Sequence, residues 1–167
     1  MRKIFMLLLW LLMTPLLWAG VYPVRMPEQP LTKVERLAHA IAKAEGFYVK
    51  GSIPNRYHNV GDIKAVKGFK YEGQIGIGKG RHVIFATDAD GWRALNRQLT
   101  LIAQGYSKHY SVDMTLQQLA KKYAGNWRVF AKNLSHSLGV PQSTTLKELL
   151  YEPLESQSRT PGIPRST

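Results

Sequence analysis

Apolar residues between positions 34 and 45 keep the spacing of one helix face. Val34, Leu37, Ala38 and Ile41 stand at i, i+3, i+4 and i+7, and the next position on that face is Glu45. Thr32 and Glu35 form a capping box ahead of the stripe, and Gly46 supplies the stop behind it. Three later segments show the same punctuation. Thr87 and Asp90 open a helix to about Gln104 with Trp92, Leu95, Leu99 and Ile102 inward. Thr115 opens a helix through Tyr123 with Leu116, Leu119, Ala120 and Tyr123 inward. Thr145 and Glu148 cap a last short helix that holds Leu146, Leu149 and Leu150. Between the last two lies a helix from Trp127 to Ser137, closed by Gly139.

The period changes after Gly46. Residues 47–64 read as irregular, with Gly51, Pro54 and an Asn59-Val60-Gly61-Asp62 turn. Over 65–86 the pattern is that of short β-structure. Phe69 and Tyr71 alternate with polar residues as a first strand, Gly73 to Gly80 is glycine-rich, and His82-Val83-Ile84-Phe85 is a second strand. The order helix, small hairpin, several helices predicts a mainly α, α+β domain, with the hairpin between the first and second main helices. No internal repeat is evident.

Residues 4–18 change the picture of the ends. Arg2 and Lys3 precede a run from Ile4 to Trp18 that only Thr14 and Pro15 interrupt. Its length suits the core of a signal peptide and is short for a membrane span. Cleavage after Ala19 would leave Leu17 where a small residue is preferred, so an uncleaved anchor to the inner membrane stays open. The expected organisation is a signal peptide or N-terminal anchor at 1–20, a linker at 21–31 with three prolines, a folded domain at 32–151 and a disordered Pro/Ser/Thr tail at 152–167. Such a leader places the domain in the periplasm or cell envelope.

The 167 residues include 23 Lys and Arg against 11 Asp and Glu, a net charge of +12, and no Cys. Disulfides, thiolate metal sites and a Cys nucleophile are thereby excluded. The positive charge favours an anionic partner such as nucleic acid, anionic lipid or bacterial cell wall. Its charges are scattered rather than gathered into a groove, and with the leader this argues against nucleic acid. The five His lack metal-ligand spacing. Gly76-Ile77-Gly78-Lys79-Gly80 lacks the following Lys-Ser/Thr helix of a phosphate loop and reads as a hairpin. No metal or cofactor is expected.

Glu45 is the candidate with chemical content. Apolar neighbours disfavour its charged form, and a helix C-terminus adds partial negative charge, so its pKa should rise. A carboxylic acid still protonated near neutrality can protonate a leaving glycosidic oxygen. The alternative is a solvated Glu at a frayed helix end. Asp62, in the turn before the β-region, is either a second carboxylate or an Asx-turn residue. Asp88, Asp90 and Asp113 are explained by helix starts.

Ala44-Glu45-Gly46-Phe47, followed by Asn59-Val60-Gly61-Asp62-Ile63-Lys64, is similar to a signature of the lysozyme superfamily, near its lytic-transglycosylase-like and phage muramidase-like branches. Phe85-Ala86-Thr87 leading to Gly91-Trp92-Arg93-Ala94-Leu95, then Tyr110 to Thr115 and Tyr123-Ala124-Gly125-Asn126, follow in the order of such domains, and the resemblance spans about residues 34–150. The chain departs from the signature at Val60, where Pro is common. The resemblance implies a catalytic Glu at Glu45 and cleavage of the β-1,4 bond between N-acetylmuramic acid and N-acetylglucosamine in peptidoglycan. Position 62 alternates between Asn and Asp in such proteins, which favours a one-carboxylate lytic transglycosylase over a muramidase with Asp62 as second acid. Arg56, Tyr57, Asn59 and Tyr123 are the expected groove residues, with Tyr123 equally placed for the core. Peptidoglycan glycan strands are the expected partner, with no nucleic acid. The rival reading is a non-catalytic lysozyme-like module that binds glycan or serves as a scaffold.

Overall fold

A computed structural model of the chain describes residues 31–151. The expected leader, the tail and all but the last residue of the linker lie outside the described residues. Helix α1, Lys33–Ala44, begins on the expected capping box. Thr32 Oγ1 accepts from the Glu35 N–H at 3.2 Å, and the Glu35 carboxylate accepts from the Thr32 N–H at 2.8 Å. Leu37, Ala38 and Ile41 of the apolar stripe are buried, as are Ala40 and Ala42, and Val34 is half-buried against the core. This breadth lets α1 pack against three other helices: α3 (Asp88–Ala103), α5 (Trp127–Leu138) and α6 (Leu146–Leu150).

The segment expected to be irregular contains one helical turn, α2, Ile53–Arg56. Ser52 caps it and Pro54 occupies its first turn, where a missing N–H costs nothing. The hairpin pairs β1, Gln74–Ile77, with β2, Val83–Phe85, antiparallel, with a bulge between Gln74 and Gly76. The first strand therefore lies in the glycine-rich stretch, not at Phe69 and Tyr71. Those two aromatics meet edge-on at 4.8 Å, ahead of a turn closed by Gln74 N–H on Tyr71 O at 3.1 Å, and the Tyr71 ring packs toward Phe85. Their alternation comes from this turn around a buried tyrosine. Residues 63–65 run beside β2 as a third, irregular line. Val83 N–H donates to Ile63 O at 2.9 Å, Ala65 N–H donates to Arg81 O at 2.8 Å, and Lys64 bridges His82.

Thr87 caps α3, which buries Ala94, Leu95, Leu99 and Ile102. Gly91 in its first turn is needed for close approach, since an added Cβ would stand 2.0 Å from the His58 carbonyl oxygen. Helix α4, Leu116–Tyr123, has a full capping box between Thr115 and Gln118, and α6 has one between Thr145 and Glu148. The two caps also bind each other reciprocally: Leu116 N–H donates to Thr144 O at 2.9 Å and Leu146 N–H to Met114 O at 2.8 Å. Helix α5 ends at Gly139 with φ +68. The fold is mainly α and α+β, with a two-stranded antiparallel hairpin between α1 and α3, its two largest helices before α4. None of the described helices is long and apolar enough to cross a membrane.

Candidate active site

Glu45 is the C-cap of α1. Its N–H bonds Ile41 O at 2.9 Å, Gly46 turns the chain away with φ +78, and Phe47 drops into the core with its N–H on Ala42 O. The Glu45 side chain is thereby held on the wall of a cleft of about 620 Å3, which Asp62, Lys64, His82, Tyr110 and Tyr123 also line. Burial pushes the Glu45 carboxyl up from 4.5 to about 7, the Asp62 charge pushes the same way, and Lys64 opposes them. Burial acts as the sequence indicates. The second cause is a facing carboxylate rather than the end of the helix.

Asp62 reaches the cleft from the turn. Its N–H donates to Asn59 O at 2.9 Å, and its φ of +48 lies in the left-handed region, which Asp tolerates better than most residues. Its carboxyl is half-buried. Burial raises its pKa above the ordinary aspartate value, against the lowering effects of His82 and Lys64. His82 Nδ1 lies 2.8 Å from Asp62 Oδ1. That nitrogen also lies 3.2 Å from the Asp62 main-chain oxygen, and its hydrogen-bond geometry is met there. Asp62 Oδ1 is itself buried and has no aligned hydrogen-bond partner, so the 2.8 Å approach of His82 is a close polar contact rather than a well-formed hydrogen bond.

Tyr123 is both wall and support. Its hydroxyl donates to Gly61 O at 2.6 Å, its ring stacks on Phe130 at 5.3 Å, and burial with the nearby Glu45 charge pushes its phenol well above its usual value. A Cβ at Gly61 would come within 2.9 Å of Leu95 Cδ1 and 3.0 Å of the Tyr123 hydroxyl, so the turn is pinned between α3 and α4.

The other expected groove residues stand elsewhere. Asn59 is 0% exposed, which overturns a substrate contact. Its amide donates to Ile63 O and Val83 O, and its Oδ1 accepts from Ile63 N–H at 2.7 Å. It braces the turn against β2. Tyr57 and Arg56 do not line the cleft. Tyr57 packs under Gly78, where an added Cβ would lie 2.3 Å from its ring, and its hydroxyl accepts from Lys79 N–H at 3.3 Å. Arg56 is exposed over the Tyr57 ring. The structure thus brings Glu45, Asp62 and Tyr123 together and leaves Arg56, Tyr57 and Asn59 in supporting places. Reading along the chain missed His82, Lys64, Tyr110, His109 and Lys122 on the cleft. The sequence offers no spacing that would join them to Glu45.

Among the described residues, no group of three or more His, Cys, Asp or Glu could hold a metal ion. The arrangement can instead perform proton transfer, with one carboxyl kept protonated near neutrality beside a second whose ionised form His82 and Lys64 favour. Compared with protein-family models, with curated proteins and with solved structures, the chain gives no significant match.

Proposed function

We propose that this chain is a glycosidase that cleaves the β-1,4 bond between N-acetylmuramic acid and N-acetylglucosamine in peptidoglycan, with Glu45 as general acid. One observation carries the reading: a half-buried carboxyl with a pKa of about 7, set at a helix end in a large open cleft and faced by a second carboxyl. Paired carboxyls whose environments separate their roles are the working parts of a glycosidase. The order of motifs resembling the lysozyme superfamily and the net charge of +12 support a polyanionic wall as substrate. Export through the segment 1–20 would bring the enzyme to it.

Glu45 gives its proton to the glycosidic oxygen as the bond to the anomeric carbon breaks. In a lytic transglycosylase the sugar's own 6-hydroxyl closes on that carbon and returns its proton to Glu45. In a muramidase water attacks, with Asp62 as the second carboxyl. The placement of Asp62 on the same cleft favours the second course. The test is mass spectrometry of soluble products after the purified protein meets peptidoglycan, beside Glu45→Gln. Sugar products that vanish in the variant while wall binding persists are expected. Unchanged release by Glu45→Gln would refute Glu45 as the acid, and wall binding with no product would leave a glycan-binding module.

A further inference from the structure

We infer that His82 is a positioning residue for Asp62, holding it as the base that activates water, so that this cleft hydrolyses rather than forming an anhydro sugar. The inference rests on the glycosidase reading above.

The two residues are brought together by main-chain bonds on both sides. Lys64 bridges His82, Val83 N–H binds Ile63 O, and the buried Asn59 amide joins Ile63 O to Val83 O. The turn and the start of β2 therefore cannot shift apart without breaking buried hydrogen bonds. Gly80, with φ +66, gives the imidazole its room, since a Cβ there would lie 2.9 Å from His82 Cδ2 and 3.0 Å from its Nε2. Both Asp62 atoms that Nδ1 approaches are acceptors: Oδ1 at 2.8 Å and the main-chain oxygen at 3.2 Å. The hydrogen accordingly belongs on Nδ1 whether the ring is neutral or charged. That N–H is aligned on the Asp62 main-chain oxygen and so fixes the residue's backbone, while the ring edge stands 2.8 Å from the buried Oδ1 and closes that side of the carboxyl. The Asp62 side chain is 24% exposed while Oδ1 is sealed, so Oδ2 is the oxygen left for a water in the cleft. A transglycosylase returns the proton to its acid and has no use for a second base. A carboxylate whose ionised form is held by a dedicated imidazole fits an attacking water.

The step balances. Glu45 donates its proton to the leaving O4, and the C1–O4 bond breaks with its electron pair staying on O4. The water oxygen bonds C1, and the water's proton passes to Asp62 Oδ2. Solvent exchange then restores Glu45–H and the Asp62 carboxylate. Four groups act on Asp62's charge: Glu45 from α1, Lys64 from the adjoining segment, His82 from the hairpin and Tyr123 from α4. His82 lowers the Asp62 pKa, so its loss should move the acid limb of the kcat–pH profile to higher pH.

The test uses the full chain on purified peptidoglycan, with His82→Asn, His82→Gln and His82→Leu. Asn keeps an N–H near the place of Nδ1; Gln carries its donor toward Nε2; Leu has none. The wild type should release chains ending in reducing N-acetylmuramic acid. His82→Leu and His82→Gln should lose about 100-fold in kcat with KM little changed, the cost of a misplaced base. His82→Asn should recover most of that rate at the plateau, while its acid limb still moves up because the imidazole that lowers the Asp62 pKa is gone. If His82→Leu fails to fold, the Asn and Gln pair decides. Equal loss in Asn and Gln, or no loss in either, overturns the positioning role. 1,6-Anhydro products from the wild type overturn it too, while leaving Glu45 as acid. A wild type that releases no sugar defeats the glycosidase reading and this inference with it.

Discussion

Replacing Glu45 by Gln should make the protein more stable at alkaline pH while removing its chemistry. The rise of the Glu45 pKa from 4.5 to about 7 means that the folded state binds this proton more tightly than the unfolded chain does. Stability from this group is fully present below about 4.5, falls as pH rises toward about 7, and is gone above it. At about 1.36 kcal/mol per pKa unit the ceiling is about 3 kcal/mol. Solvent reaching the half-buried carboxyl reduces the expected effect to about 1–2 kcal/mol. Gln keeps the shape and carries no charge, so it escapes the penalty and also relieves the repulsion on Asp62. Urea unfolding at pH 4, 6 and 8 should give wild type and variant the same stability at pH 4, with the variant ahead by about 1–2 kcal/mol at pH 8. Parallel curves across that range would refute the claim that burial and Asp62 raise the Glu45 pKa. If Glu45 is the general acid proposed above, a companion pH–rate profile should fall above about 7, where its carboxyl loses the proton.

Three further substitutions test the frame that holds the site. Tyr123→Phe removes the hydroxyl that binds Gly61 O and should cost about 1–2 kcal/mol in urea unfolding, with a larger loss of kcat than of stability because the turn bearing Asp62 loosens. Asn59→Ala takes the side-chain partner from Val83 O and from the Ile63 N–H in the interior, while Ile63 O keeps its bond from Val83 N–H, and should cost about 2–3 kcal/mol; a variant as stable as the parent would contradict its bracing role. Gly91→Ala places a Cβ against the His58 carbonyl and should lower thermal stability by at least about 2 kcal/mol, since that neighbour is main chain that cannot step aside.

The helices were legible because their signals are local. Thr32 with Glu35, Thr115 with Gln118 and Thr145 with Glu148 each satisfy a helix start within four residues, whatever surrounds them. The first strand was misplaced because aromatic spacing at Phe69 and Tyr71 imitates a strand, while the actual ladder runs through Gly76 and two exposed isoleucines. Glu45 was visible as an acid closing an apolar stripe. Of its neighbours on the cleft, Asp62 and Tyr123 were expected, and His82 and Lys64 were not. His82 meets Asp62 only because Asn59 ties the turn to β2, and Tyr123 meets Gly61 from 62 residues away. Asn59 itself shows the limit of a motif, which marks a position as constrained without saying whether the side chain faces the cleft or the interior.

The reciprocal caps of α4 and α6 bear on the order in which this protein can become competent. Helix α4 carries Tyr123, which pins the turn that holds Asp62, and the first N–H groups of α4 bind carbonyls that lie immediately before α6. The far wall of the cleft is therefore completed by residues near 146, a hundred positions after Glu45. A nascent chain still lacking that segment holds the acid but not its finished surroundings. If the cleft cuts the wall, the same arrangement keeps half-made or prematurely ended chains harmless to the cell that synthesises them.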